Sequence, residues 1–135
     1  MIWGRAPHNA FTALVKFRDR WYCAFREGQT AVSPDGRLRL LTSADATRWL
    51  PVAELAAPET DLRYPKFSAT PDGRLLLTAA TRHGETRTGT QTLGWLTPDA
   101  RRWEDALPLG GPGYWIGPVR WQRKQGFGIA LPPDN

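Results

Sequence analysis

Hydrophobic and polar residues alternate along short stretches of the chain, as in strands that bury one face. Residues 11–17 carry Phe, Ala, Val and Phe at every second position, and an Arg-Asp-Arg turn separates them from the hydrophobic residues 21–25. This arrangement predicts a β-hairpin. The alternation returns over residues 37–41 and 49–55, which gives a group of four predicted strands.

The same series of four predicted strands occurs a second time along the chain. Strands are predicted over residues 65–70, 74–80, 91–96 and 102–107, and Pro71-Asp72-Gly73 joins the first two. Pro presets φ and Gly accepts a positive φ, so this tripeptide predicts a tight turn. A third group begins with residues 114–121 and 126–131.

These groups repeat at a constant interval. Thr12, Pro65 and Pro118 occupy matching positions at steps of 53 residues, and the pattern [ST]-x-D-x-x-x-W occurs at 43–49 and 97–103. Four-stranded antiparallel units of this size are typical of β-propeller blades. The predicted fold is all-β, a partial propeller of about two and a half blades. The blades are predicted over about 9–57, 62–109 and 114–132.

Composition supports a folded all-β chain and narrows the partners. The 135 residues include 13 Gly and 12 Pro, which suit many short strands, and the net charge of +5 is spread along the chain. Scattered Arg favours a solvated surface over a nucleic-acid partner. Cys23 is the only cysteine, which excludes an intrachain disulfide and leaves the compartment undetermined. With no leader-like start and no run of 18 apolar residues, we expect a soluble chain with no membrane partner.

The two [ST]-x-D-x-x-x-W segments resemble the aspartate box of the sialidase (neuraminidase) superfamily. The Asp carboxylate can accept turn N–H groups, the Ser or Thr hydroxyl can brace the hairpin, and the Trp can pack beneath it. The family's box has one more residue before its Trp and usually Gly where Thr47 and Arg101 stand. The residues concerned are Ser43, Asp45, Trp49, Thr97, Asp99 and Trp103, and their predicted role is structural.

The resemblance implies an active site on the opposite edge of the blades. Sialidases bind a substrate carboxylate with three arginines, because guanidinium forks match carboxylates. Arg63-Tyr64-Pro65 resembles the family's Arg-Ile-Pro stretch, although it falls in the second unit, where the first has Ala10-Phe11-Thr12. The candidate substrate-binding residues are Arg63, Arg26, Arg82, His8 and Asn9. Alternation predicts that Arg26 and Glu27 point to opposite faces.

The catalytic candidates are Asp35 and Glu27. Sialidases use a Tyr nucleophile with a Glu partner and an Asp acid/base, and in the family the Tyr and Glu come from later blades. Asp35 lies in a loop that matches the position of the acid/base, although Ser33-Pro34-Asp35-Gly36 also reads as a turn. Glu27 and Gly28 match an Ala-Glu-Gly-Arg stretch of the family, with Gln29 in place of its Arg. No cofactor is expected, nor a metal site, since His8 and His83 lack partners at ligand spacing.

The sequence therefore predicts a glycan-directed propeller of the glycoside hydrolase type, acting on a terminal sugar such as sialic acid and incomplete as a catalyst. The alternative is a non-catalytic glycan-binding or scaffold propeller that closes by self-association. The expected partner is a carbohydrate ligand. Both hypotheses need further blades, from a longer chain or from other copies, to cover the outer sheet faces.

Overall fold

The structure is a computed structural model that describes residues 1–84 and 89–132. The regular secondary structure of these residues consists of twelve β-strands. The described part of the chain contains no helix long and apolar enough to cross a membrane.

The first eight strands form two four-stranded antiparallel sheets, each with its strands in chain order. The first sheet contains β1 (His8–Phe17), β2 (Arg20–Gly28), β3 (Arg37–Ser43) and β4 (Leu50–Leu55). The second sheet contains β5 (Asp61–Ala69), β6 (Leu75–Arg82), β7 (Thr92–Thr97) and β8 (Leu107–Leu109). Each sheet is a meander, which places β1 and β5 at corresponding edges.

The remaining strands are short. They are β9 (Trp115–Ile116), β10 (Arg120–Gln122), β11 (Gln125–Phe127) and β12 (Ala130–Leu131). β9 pairs with β12 and β10 with β11, so each of the two predicted strands in this region is split in two. The Trp121 Nε1–H donates to Ser68 Oγ at 2.7 Å, and this bond ties the segment to β5.

The hydrophobic core lies between the two large sheets. Leu38 and Leu40 of β3 are fully buried, and they share a cluster with Leu62 and Leu77 of the second sheet. β1 and β5 also lie against each other. Successive four-stranded sheets packed face to face form a partial propeller, and the predicted all-β fold class is confirmed.

The two [ST]-x-D-x-x-x-W segments form the turns that join β3 to β4 and β7 to β8. Asp45 Oδ1 accepts the backbone N–H groups of Thr47 and Arg48, each at 2.9 Å. Asp99 Oδ1 accepts those of Arg101 and Arg102 at the same distance.

The residue after each turn Asp adopts a left-handed conformation, with φ of 61° at Ala46 and 59° at Ala100. Trp49 packs against the buried cluster of Cys23, Phe25 and Leu41, and Trp103 packs against the cluster that contains Leu75 and Ala100. Each segment therefore closes its hairpin through side-chain to backbone bonds, as its residue types predict.

Candidate functional site at the upper edge

The predicted site residues lie at one edge of the sheets, which we name the upper edge. β1 and β5 begin there, and β2 and β6 end there. The turns of Asp45 and Asp99 lie at the opposite, lower edge, because β3 and β7 run toward them. Loops at one end of a rigid sheet scaffold are a common position for binding sites.

Arg26 and Asp61 join the two sheets at this edge. Arg26 lies two residues before the end of β2 and is fully buried, and its Nε lies 2.5 Å from Oδ1 of Asp61 at the start of β5. Asp61 Oδ2 accepts a hydrogen bond from Arg63 Nη1 at 2.8 Å. Burying charged groups is costly unless each is paired, and here one carboxylate pairs with two guanidinium groups.

The other nitrogens of Arg26 also have protein partners. Nη1 lies 3.2 Å from His8 Nδ1, and Nη2 donates to Ser33 Oγ at 3.2 Å. A guanidinium has only donors, so His8 Nδ1 is the acceptor in this contact. Arg26 is predicted to bind substrate, but each of its three side-chain nitrogens contacts another side chain of this protein.

Gly36 lies directly against this ion pair. A Cβ at Gly36 would stand 1.8 Å from Asp61 Oδ1 and 2.9 Å from Arg26 Nε. The Gly36 carbonyl accepts the N–H of Leu62 at 2.9 Å, which fixes the loop between β2 and β3 against β5. The absence of a side chain at position 36 makes this close approach possible.

Arg63 lies beside aromatic rings. Its Nη1 donates to Asp61 and to the Ala31 carbonyl, and all of its hydrogen bonds to described residues use this one nitrogen. Its guanidinium carbon stands 4.8 Å from the ring centre of Phe11 and 5.5 Å from that of Tyr64. The Nε and Nη2 groups of Arg63 thus make no hydrogen bond to described residues, and the side chain is 10% exposed.

Two matched β-bulges place these rings. The register of β1 shifts between Ala10 and Ala13, and that of β5 shifts between Arg63 and Lys66. The bulged residues have positive φ, 59° at Phe11 and 54° at Tyr64. These two positions are 53 residues apart, the interval found in the sequence.

The bulged side chains meet at the upper edge. The Phe11 and Tyr64 ring centres are 4.2 Å apart, and Tyr64 stacks on Trp115 at 4.7 Å. Bulges commonly redirect side chains next to binding and active sites. Three aromatic rings in a row, with Arg63 at one end, are therefore the main feature of this edge.

Glu27 faces away from this cluster. Its Oε1 accepts the Trp3 indole N–H at 2.5 Å, and its Oε2 accepts Arg39 Nε at 3.0 Å. Arg26 faces the second sheet, so the two neighbours point to opposite faces as strand alternation requires. Glu27 is buried, and both of its oxygens already accept hydrogen bonds from protein groups.

Asp35 is an exposed loop residue. The nearby Ser33 hydroxyl and the Gln29 N–H hold the pKa of Asp35 below its ordinary value. A catalytic acid at neutral pH needs a raised pKa. The lowered pKa keeps Asp35 ionised at neutral pH, which suits a base or an electrostatic partner rather than an acid.

The remaining candidates lie at the margin of the site. Asn9 is exposed and donates to the Ala6 carbonyl at 2.9 Å, and Arg82 Nε donates to the Gly84 carbonyl at 3.2 Å. The structure therefore gathers Arg26 and Arg63 around Asp61, with His8 against Arg26, and it turns Glu27 to the opposite face. Asp35 lies in the adjacent loop, where the Ser33 hydroxyl and, more weakly, the Arg26 charge lower its pKa. Among residues 1–84 and 89–132, no group of three His, Cys, Asp or Glu side chains could hold a metal ion.

Sequence reasoning missed the paired role of Asp61 and the row of rings. Asp61 is not among the candidate site residues, and Ala10-Phe11-Thr12 is matched with Arg63-Tyr64-Pro65 only to compare an arginine. The signal for the rings was present, because Phe11 and Tyr64 are the central residues of those two aligned stretches.

Comparison with known proteins gives a likeness of fold. No protein-family model matches the chain, and no curated protein sequence matches it significantly. Among solved structures, it is similar to a protein described as a putative glycoside hydrolase from Parabacteroides distasonis ATCC 8503, with a TM-score of 0.54 and 16% identity. The match covers 78% of this chain and 33% of that one, so this chain spans about a third of the length of its structural neighbour.

Proposed function

We propose that this chain is a segment of a glycan-directed propeller of the glycoside hydrolase type, and that it binds a terminal sugar at the upper edge. The observation that carries the proposal is the placement of Arg63 beside the rings of Phe11 and Tyr64, with Trp115 stacked on Tyr64. The fold of the structural neighbour and its description support the same class.

The chemistry of this edge suits an acidic sugar. Aromatic faces pack against the apolar faces of sugar rings, and a guanidinium binds a carboxylate through paired, charge-assisted hydrogen bonds. Asp61 and the Ala31 carbonyl hold Arg63 through Nη1, so Nε and Nη2 are the donors that would meet a ligand carboxylate. Together with the resemblance of Arg63-Tyr64-Pro65 to the sialidase stretch, this favours sialic acid as the sugar.

Binding of N-acetylneuraminate to the full chain tests this proposal. We expect saturable binding by calorimetry and at least tenfold weaker binding of its methyl ester, since a charge-assisted bond contributes about 1.5–3 kcal/mol. Arg63→Lys keeps a cation beside Asp61 but removes the planar fork, and we expect it to weaken binding similarly. Arg101→Gln, at an exposed residue of the lower edge, is the matched control. Equal binding of acid and ester would overturn the proposal.

A second candidate is a non-catalytic glycan-binding propeller that closes by self-association. It is favoured because Arg26, Glu27 and Asp61 are buried and bonded to protein groups, which leaves Asp35 as the exposed catalytic candidate. Mass measurement and a fluorogenic sialoside assay distinguish the two. A stable oligomer without turnover supports the binding module, whereas turnover by an assembled propeller supports the hydrolase.

A further inference from the structure

The cluster of Arg26, Asp61 and Arg63 at the upper edge carries one net positive charge. Asp61 Oδ1 faces Arg26 Nε at 2.5 Å, and Asp61 Oδ2 faces Arg63 Nη1 at 2.8 Å. The three side chains are 0%, 2% and 10% exposed, so water and salt screen their charges only weakly. Two guanidinium groups in contact with one carboxylate therefore leave a single positive charge that a ligand can neutralise.

Arg26 is enclosed by the protein and cannot contact a ligand. Its three side-chain nitrogens all contact other side chains of this protein. The backbone also lies close to its guanidinium, because a Cβ at Gly28 would stand 2.8 Å from Nη2 and one at Gly36 would stand 2.9 Å from Nε. Arg26 can therefore act on a ligand only through its charge and through Asp61.

Arg63 has the free donors of this cluster. Its Nη1 donates to Asp61 and to the Ala31 carbonyl, whereas Nε and Nη2 make no hydrogen bond to residues 1–84 or 89–132. The buried donors without a partner in those ranges belong to other residues, so Arg63 Nε and Nη2 reach the surface. Their N–H groups lie side by side along one edge of the guanidinium plane, and such an edge binds both oxygens of a carboxylate.

We propose that Arg26 is a positioning residue for a carboxylate ligand that it does not touch. Arg26 neutralises Asp61, which holds Nη1 of Arg63, and the charge and the Nε–Nη2 edge of Arg63 are left to the ligand. Without Arg26, the pair of Asp61 and Arg63 is neutral and attracts an anion only weakly. One positive charge and one planar donor edge match a monocarboxylate. That the carboxylate belongs to a sugar rests on the proposed function, whereas the anion site rests on this cluster alone.

Titration of the full chain with sodium acetate, followed by the NMR signal of the Arg63 Nε–H, tests the anion site without a sugar. The signal is assigned by its loss in Arg63→Lys. We expect a saturable shift with acetate and none with acetamide, its neutral counterpart. Arg26→Gln should weaken acetate binding at least tenfold, because the charge that it removes lies one carboxylate away from Arg63 in a weakly screened site. Arg101→Gln, an equal charge change at the exposed lower edge, should keep wild-type affinity.

A double variant distinguishes this role of Arg26 from a merely structural one. Arg26→Gln alone leaves a neutral pair of Asp61 and Arg63, whereas Arg26→Gln combined with Asp61→Asn restores one net positive charge, carried by Arg63. We expect the double variant to recover most of the lost acetate affinity, although it lacks both members of the ion pair between the sheets. A double variant that binds acetate as weakly as Arg26→Gln would overturn the proposal, as would wild-type affinity in Arg26→Gln itself.

Asp61→Asn alone supplies a second test that does not depend on the folding of Arg26→Gln, since loss of one partner of a buried ion pair is destabilising. Asp61→Asn keeps an amide oxygen as an acceptor and raises the net charge of the cluster from one to two. We expect the affinity for the phosphate dianion, relative to that for acetate, to rise at least tenfold, because the added charge acts on two negative charges instead of one. An unchanged ratio of the two affinities would overturn the charge balance.

N-acetylneuraminate separates this inference from the proposed function. If acetate shifts the Arg63 signal in a chain that does not bind N-acetylneuraminate, the cluster is supported as an anion site and the sugar is removed. If Arg26→Gln binds N-acetylneuraminate with an unchanged preference over its methyl ester, the proposed function stands and the role of Arg26 is overturned. An absence of any shift with acetate would overturn the whole inference.

Discussion

The carboxylate of Asp61 lies between two guanidinium groups, that of Arg26 in the first sheet and that of Arg63 in its own strand. All three side chains are largely buried, so removing the carboxylate leaves two buried positive charges without a partner. We expect Asp61→Ala to lower the free energy of unfolding by about 3–5 kcal/mol. Urea denaturation of the variant and the wild type measures this difference.

The control for this prediction is Asp19→Ala. Asp19 is exposed in the turn between β1 and β2, so its loss should change stability by less than about 0.5 kcal/mol. If Asp61→Ala also stays within that range, the ion pair contributes little to holding the sheets together.

Asp99 gives a prediction about pH. Its hydrogen bonds from the N–H groups of Arg102 and Arg101 lower its pKa from 3.8 to about 2. The charged form is therefore favoured by folding, and its contribution is present above about pH 4 and is lost as the pH falls toward 2. The stability difference between wild type and Asp99→Ala should shrink over this interval, measured by denaturation from pH 6 to pH 2. A constant difference would show that the carboxylate charge contributes nothing.

The two aspartate turns and the Arg26–Asp61 pair differ in how far sequence can predict them. The bonds of Asp45 and Asp99 reach backbone groups only two and three residues away, so a local pattern of residue types predicts them. Arg26 and Asp61 are 35 residues apart and meet only because the sheets pack together. Their partnership depends on tertiary structure, which no local pattern encodes.

At the scale of elements, the matched bulges of β1 and β5 are the feature that forms the row of rings. Tyr64 has a φ of 54°, a conformation that costs a residue with a Cβ about 1–2 kcal/mol and costs Gly almost nothing. We therefore expect Tyr64→Gly to be more stable than Tyr64→Ala by about 1 kcal/mol, although both remove the ring. Thermal or urea denaturation of the two variants checks this order.

Ala13→Gly is the control, because in the regular part of β1 we expect Gly to be less stable than Ala. Ala13 pairs with Ala24 beyond the bulge, and there Gly should cost about 0.5–1 kcal/mol relative to Ala. A Tyr64→Gly variant that is less stable than Tyr64→Ala would mean that position 64 is not strained.

Alternation and turn residues are local signals, and they predict the positions of seven of the eight strands of the large sheets. The eighth strand is predicted over 102–107 but lies at Leu107–Leu109, and β5 begins at Asp61 rather than at Pro65. The sequence predicts the last segment less well: Pro118 and Gly128 fall where the two expected strands divide. Pro has no N–H to donate, and Gly adds no side chain to pack. The positions of the bulges could not be predicted from alternation, since a bulge depends on the pairing of two strands.

At the scale of the whole molecule, the two large sheets share one core. Leu40 of β3 and Leu77 of β6 are fully buried in the same cluster. The Arg26–Asp61 ion pair joins the same two sheets at the upper edge. Neither sheet can lose its neighbour without exposing this core, so we expect them to unfold as one cooperative unit.

Hydrogen exchange can test this cooperativity across the interface. Leu40→Ala removes a fully buried side chain of the first sheet and should cost about 2–5 kcal/mol. If the sheets open together, exchange of the slowest amides in β6 of the second sheet should accelerate by the same factor as in β3. Leu50→Ala, at a residue 63% exposed on β4, should leave both rates unchanged. Acceleration confined to β3 would show instead that each sheet opens alone, and that the shared core and the ion pair do not couple them.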